Sequence, residues 1–276
     1  MMRVVFFGMG YCAQASAAAL RAEDPTIDIA GTVRNAGKAL PGYGIRSFED
    51  ASVLAGASHV IASIPPDAEG DPVLRLYRKT LLDTPTLQWL CYYSTIGVYG
   101  DSGGAWIDET APCQPQSARA RQRLDAEEGW RALAEERGIP LMIARLGGIY
   151  GPGRSSFERL RAGRAERIVK PGQVFNRIHV ADIARITVLA ARLRLSGTFN
   201  LCDDEPSPPQ DVITYAAGLI GVEPPPEVAF EDAQMSELAR SFYTDNKRVS
   251  NAAIKAALGI DLLYPNYREG LSAIAD

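Results

Sequence analysis

The chain has 276 residues, 46% of them hydrophobic, with a formal net charge of -4. That is enough apolar material for a full core, and the acidic balance leaves no basic field for a phosphate backbone, which excludes nucleic acid as a partner class. The four cysteines form no Cys-x-x-Cys pair, MMRVVFFGMG is too short for a secretion signal, and IARITVLAARLRL is broken by arginines before the ~20 apolar residues of a bilayer span, so a cytoplasmic protein without a membrane segment is expected.

From the N-terminus, short β-branched runs alternate with helical periodicity. RVVFFG reads as a strand, AQASAAALRAE as a helix, IDIAGTVR as a strand, FEDASVLAG as the site of a helix and SHVIASI as a strand. DPVLRLYRKTLL follows as a helix, LQWLCYYS as a buried strand, 117–137 as a helix and PLMIARLGGIY as a strand. Beyond Tyr150 the pattern loosens into GPGRSSFERLRAGR, a helix around ADIARITVLAARL, the strand GTFNLC and a proline-rich final third. Strands apolar on both faces and separated by helices predict an α/β fold, a parallel sheet covered on both sides, with a small C-terminal lobe. Residues 1–150 and 179–204 are assigned to a dinucleotide-binding domain, and 151–178 and 205–276 to a substrate-binding lobe.

The first strand and helix are joined by Gly8-x-Gly10-x-x-Ala13. Gly8 permits the tight turn, Gly10 lets backbone approach a pyrophosphate, and Ala13 allows close helix packing, while the helix N-terminus faces the anion. Gly8, Gly10, Tyr11, Cys12 and Ala13 are therefore the candidate cofactor contacts of a Rossmann-type turn; a ligand-free tight turn would also favour glycine. At the end of the second strand, where NAD enzymes place an acid on the ribose, the chain has Arg34, with Lys38 nearby. A guanidinium suits a 2′-phosphate, so NADP is preferred over NAD. Ser63 and Ile64, before the two prolines that end the strand SHVIASI, are placed by topology near the ribose.

Four further stretches carry a resemblance that runs nearly end to end: YYSTIGVYGD, RLGGIYGPGR, NRIHVADIA and GTFNLCDDEP. The chain resembles the extended short-chain dehydrogenase/reductase superfamily, its NAD-dependent epimerase/dehydratase group, and within it an atypical branch related to the bacterial YeeZ-type proteins. The resemblance implies a Rossmann domain, a nicotinamide cofactor and a catalytic Ser/Thr, Tyr and Lys. Thr95 matches the Ser/Thr. Ile96 and Gly97 stand where dehydratases of the group have an acidic pair, and Gly148 where many nucleotide-sugar enzymes have Asn, so neither dehydration nor a nucleotide-sugar is supported. The tyrosine helix matches at Pro115, Ser117 and Glu127, which puts Arg119 at the tyrosine and Arg123 at the lysine.

Helical phase turns Arg119 and Arg123 inward with Ala126, Trp130 and Leu133, and Arg121 outward. Two readings stand for the inward pair: an internal ion pair, such as Arg123 with Glu127, or a cleft-facing role on phosphate or carboxylate. An arginine cannot replace tyrosine as a proton donor, because deprotonation at neutral pH spans ~5 pKa units, roughly 7 kcal/mol. It can steady an oxyanion. The candidate catalytic set is thus Thr95, Arg119 and Arg123, with Tyr99 or Tyr93 as a stand-in acid against the competing reading of strand-end packing.

His59 and His179 lack metal-ligand spacing and read as structural, so no metal is expected. Asp182 and the Asp203-Asp204-Glu205 cluster read as helix caps or turn residues. Arg154 and Arg177, with Lys170 and Arg248, are cations in the lobe segments, and the first two are the candidate substrate contacts. The expectation is an oxidoreductase or epimerase-like enzyme on a small anionic or sugar-derived molecule; the alternative is a non-catalytic NAD(P)-responsive module. Resemblance also implies a homodimer through the helices at about 72–83 and 117–137.

Overall fold

Runs of β-branched and aromatic residues that are apolar on both faces form the centre of a seven-stranded sheet in the computed structural model, which describes residues 1–34, 40 and 42–275. In chain order the strands are β1 (Arg3–Phe7), β2 (Asp28–Val33), β3 (Gly44–Ser47), β4 (His59–Ala62), β5 (Trp89–Thr95), β6 (Trp106–Ile107), β7 (Leu141–Leu146), β8 (Gly148–Tyr150), β9 (Arg167–Val169), β10 (Arg177–His179), β11 (Gly197–Leu201), β12 (Glu227–Ala229) and β13 (Arg248–Val249). The helices are α1 (Tyr11–Glu23), α2 (Pro72–Asp83), α3 (Ala118–Arg137), α4 (Ser156–Arg161), α5 (Val180–Leu193), α6 (Pro209–Leu219), α7 (Glu237–Ser241), α8 (Ala252–Leu258) and α9 (Tyr267–Ser272). The sheet order is β11-β7-β5-β4-β1-β2-β3, with β1 parallel to both β2 and β4. Strand order reverses between β1 and β4, so the carboxyl ends of those two strands form the switch point where open α/β sheets bind ligands.

The chain divides into two compact units. The first comprises Met1–Thr95, Ala118–Arg145 and Ile183–Phe199. Its core packs Val5, Phe7, Val60 and Tyr92 of the sheet against Tyr77 and Leu81 of α2 and Trp130 and Leu133 of α3, all at most 1% exposed. Asp71 caps α2 by accepting from the Val73 and Leu74 backbone N–H groups, and its second oxygen accepts from Trp130 Nε1 at 3.1 Å. Burial raises the Asp71 pKa despite those bonds.

The second unit comprises Ile96–Ser117, Leu146–Asp182 and Asn200–Asp276. It holds three short parallel ladders, β8 with β10, β9 with β12 and β6 with β13. Tyr150, Phe157, Val212, Ala216, Tyr267 and Leu271 form its main core.

The structure differs from the sequence reading in three places. PLMIARLGGIY is two strands: the Gly147 N–H donates to the Leu201 carbonyl at 3.0 Å, and β8 beyond it pairs with β10 rather than extending β7. FEDASVLAG holds one 3-10 turn, Ala51–Leu54, capped by Asp50, and GIRS becomes the unforeseen strand β3 at the end of the sheet order. Residues 96–117 cluster with the second unit, because β6 pairs with β13 some 140 residues later, a contact that no local periodicity signals. Among the described residues, no helix is long and apolar enough to cross a membrane.

Candidate active site

β1 ends at Phe7, and Gly8 follows with φ +91, a conformation that disfavours any side chain. A Cβ there would stand 2.7 Å from Ile64 Cγ1 and 3.2 Å from Ser63 Oγ. Ser63 donates from its hydroxyl to the Gly8 carbonyl at 2.7 Å and from its N–H to Phe7, while the Gly8 N–H donates to Thr32 Oγ1 at 3.1 Å. The ends of β1, β2 and β4 are thereby joined around one turn, and Ser63 and Ile64 lie against it. Arg34, exposed, follows one residue after β2 ends at Val33; Lys38 lies outside the described residues.

Gly10 has a different reason for being glycine. It caps α1 with φ -82, which any residue adopts, and a Cβ would meet nothing within 4 Å. No side chain caps the helix there and no acid sits in its first turn. Beyond it, Ala13 is wholly buried, Cys12 is 9% exposed and Tyr11 is half-buried. The turn thus presents a positive helix end without an anionic partner from its own first turn.

At the carboxyl end of β5 the polar groups are engaged. Tyr93 Oη lies 2.9 Å from Ser16 Oγ and 2.7 Å from Thr187 Oγ1, and Tyr92 Oη accepts from Arg123 at 3.0 Å. Burial pushes both phenols far above their usual pKa. Ser94 donates to Glu127 Oε1 at 2.6 Å. Thr95, half-buried, ends the strand.

The three arginines of α3 sort differently from their helical phase. Arg123 is half-buried and donates to the Tyr93 carbonyl at 2.7 Å as well as to Tyr92, so it staples the helix to the strand. Its expected partner Glu127, wholly buried, is held by Arg145 at 2.7 Å and 3.1 Å and by Arg131 at 3.0 Å. Arg121 is exposed, and so is Arg119, against the inward expectation. Arg119 has the buried phase but sits in the open first turn of α3, where few neighbours cover a long side chain.

Arg145, which holds Glu127, is the supporting residue that the sequence reading leaves unassigned. Glu127 had matched the family register, and Arg145 opens RLGGIYGPGR, so the signal was there without the knowledge that strand and helix would bring them together.

In the second unit, Tyr99 is 3% exposed and donates to Asn200 Oδ1 at 2.7 Å. Arg154 is exposed in a turn where its backbone pairs with that of Gly151. Arg177 is half-buried and donates to the carbonyls of Phe175 and Ser207 at 3.0 Å and 3.1 Å, so part of its donor set serves the fold. Asp182 is not a cap; it accepts from the backbone N–H groups of Leu263 and Tyr264 at 2.6 Å and 3.1 Å. His179 accepts at Nδ1 from the Ala181 N–H, stacks between Tyr150 and Tyr264 at 5.1 Å and 4.2 Å, and is driven by burial to a pKa of about 4. His59, in the first unit, is engaged at both ring nitrogens, with Ser58 Oγ and the Ala191 carbonyl. Among the described residues no group of three His, Cys, Asp or Glu side chains is placed to hold a metal ion.

Asp203 is the outlier of this unit. It is 1% exposed, neither carboxylate oxygen meets a hydrogen bond of ordinary geometry, and burial raises its pKa to about 8. Nearby Arg177 and the Glu205 backbone N–H pull the other way without restoring an ordinary acid. The folded protein therefore holds a proton that the unfolded chain releases near the ordinary aspartate value of 3.8, and stability falls as pH rises toward 8. His179 acts oppositely, but only between about 4 and the ordinary histidine value of 6.5. Asp203→Asn keeps the shape without the titration, so denaturant unfolding should show wild type losing about 2 kcal/mol relative to the variant between pH 6.5 and pH 8. A difference that stays constant over that range refutes the buried proton.

The sequence profile of the NAD dependent epimerase/dehydratase family matches residues 73–202. A 3-diazoavenalumate denitrifying reductase from a Streptomyces species is 27% identical over 184 residues, which are 60% of this chain and 58% of that protein. The chain thus spans less than two thirds of that relative's length. A functionally unknown conserved protein from Silicibacter pomeroyi is 42% identical, with a TM-score of 0.88 over 100% of this chain and 98% of that one. The human epimerase family protein SDR39U1, solved with NADPH, has a TM-score of 0.77 at 17% identity over 99% of both chains, a likeness of fold.

Proposed function

We propose that this chain, whose residues 73–202 match the NAD dependent epimerase/dehydratase family profile, is an NADP-binding oxidoreductase acting on a small anionic or sugar-derived molecule without a Tyr-Lys pair. The observation that carries the reading is Gly10. Neither backbone conformation nor packing demands glycine there, and the open space beside an uncapped helix end is what a pyrophosphate would use. Gly8, Tyr11, Cys12, Ala13, Ser63 and Ile64 complete the turn around it.

Arg34 supports the NADP preference, since Met9 and Gly8 both bond to Thr32 two residues earlier and bring the end of β2 to the turn. Arg34→Ser is expected to weaken NADPH binding by about tenfold or more and to leave NADH binding unchanged, because one charge-assisted contact to a phosphate is worth roughly 1.5–3 kcal/mol. Fluorescence titration of the full chain with both cofactors checks it; equal losses for the two would remove the 2′-phosphate contact.

Thr95 would orient the substrate, Arg119 would supply positive charge to it, and Arg123 would hold the helix in place. Arg154 and Arg177 are cations of the second unit that suit an anionic substrate. The Streptomyces relative is named a 3-diazoavenalumate denitrifying reductase, which supports the reductase reading. The test is turnover of a panel of carbonyl substrates by the NADPH-loaded protein. Tight NADPH binding with no turnover would favour a cofactor-responsive binding module.

A further inference from the structure

We propose that Gly31 and Thr32, neighbours on β2, are positioning residues for the dinucleotide: they hold the turn at Gly8 and Met9 in its binding shape without touching the ligand. The inference rests on the cofactor reading above and deepens it, assigning affinity to two residues that the glycine spacing does not mark.

Gly8 and Met9 each carry one backbone donor and one backbone acceptor, and every one of these groups has a partner inside the first unit. The Gly8 N–H donates to Thr32 Oγ1 at 3.1 Å, and the Met9 N–H to the Thr32 carbonyl at 2.9 Å. The Gly8 carbonyl accepts from Ser63 Oγ at 2.7 Å, and the Met9 carbonyl from Gln14 Nε2 at 2.8 Å. The turn is therefore complete before any ligand arrives. Thr32, wholly buried, serves both N–H groups, one through its side chain and one through its backbone.

Gly31 does the steric half. It lies inside a strand with no left-handed φ, so backbone freedom is not its reason for being glycine. A Cβ there would overlap Met9 Cγ and stand 2.6 Å from Met9 Sδ, with the Phe6 carbonyl a milder contact at 3.2 Å. The Met9 side chain, 5% exposed, thus fills the space that a side chain at 31 would need. β2 has little room to yield, because Gly31 pairs with Phe6 of β1 on one flank and with Ile45 of β3 on the other. A side chain at 31 must push Met9, and the turn moves with it.

What is left to meet a pyrophosphate is Gly10 and the helix end behind it, held in one place. A turn fixed in advance need not be ordered by the ligand. A turn that spends most of its time in another shape lowers the apparent affinity by the fraction lost.

The test is fluorescence titration of the full chain with NADPH, beside urea unfolding of each variant. Thr32→Val keeps the shape but takes the acceptor from the Gly8 N–H, and should weaken NADPH about tenfold. Thr32→Ser keeps the hydroxyl and should bind within about twofold of wild type, although the lost methyl group lowers its unfolding midpoint. Residues that served stability alone would leave the affinity of the folded molecules unchanged in both. Gly31→Ala should weaken NADPH about tenfold or more, and adding Met9→Ala to the same chain should restore most of the loss. Wild-type affinity in Thr32→Val or in Gly31→Ala, or a Gly31→Ala loss that Met9→Ala leaves in place, overturns the proposal. If Thr32→Val does not fold, the Gly31 and Met9 pair decides alone. A wild-type chain that does not bind NADPH removes the cofactor reading, and this positioning role with it.

Discussion

Gly10→Asp is expected to abolish nicotinamide-dinucleotide binding while leaving the fold as stable as before, or slightly more so. Aspartate is among the best N-cap residues, and its charge complements the helix dipole, so α1 should gain up to about 1 kcal/mol. The added side chain enters open space, because a Cβ at Gly10 meets nothing within 4 Å. The same carboxylate would occupy the pyrophosphate position and repel it, and the loss of a helix-end anion contact together with like-charge repulsion should weaken NADPH at least ~100-fold. Gly8→Ala is the contrasting variant. At φ +91 and 2.7 Å from Ile64, it should cost stability as well as binding. A Gly10→Asp protein that binds NADPH as wild type does would place the cofactor elsewhere or nowhere.

Glu127→Ala should be the most damaging single change in the first unit. Glu127 is 0% exposed and joins three elements: Ser94 on β5, Arg145 on β7 and Arg131 one turn along α3. Removing it strands the Arg145 side chain, 5% exposed, without its anion, and breaking a buried pair in this way costs about 3–5 kcal/mol. The neighbouring Glu128 also pairs with Arg131 but is 67% exposed, so Glu128→Ala should cost under ~0.5 kcal/mol. Thermal and urea unfolding of the two variants side by side provide the check. A Glu127→Ala loss below about 1 kcal/mol would mean that water reaches the network and that the charge is not buried as described.

The same network explains how Thr95 is held. Ser94 is bonded to Glu127 and the Tyr93 carbonyl to Arg123, so α3 fixes the last residues of β5 from below. Arg119 and Arg123 both lie on α3. One of these, Arg123, serves the scaffold; the other, Arg119, stays on the surface.

Much of this was legible in local sequence. The β1 turn, the α1 helix and the alternation of apolar strands with amphipathic helices follow from short-range rules of steric freedom and periodicity, and Gly8, Gly10 and Arg34 could be singled out from spacing alone. Long-range partners could not. That Arg145 rather than Arg123 faces Glu127 depends on where β7 passes under α3. That Tyr99 and Asp203 are interior depends on how segments 100 residues apart close over them.

The sequence by itself determined the α/β class and the tight glycine turn between β1 and α1, because each is written in neighbouring residues. Only the tertiary structure decided which polar groups remain free to act. Burial and hydrogen bonding are set by partners that the chain brings together from distant positions, and they turned Tyr92, Tyr93, Tyr99 and Arg123 into structural members while leaving Arg119 exposed.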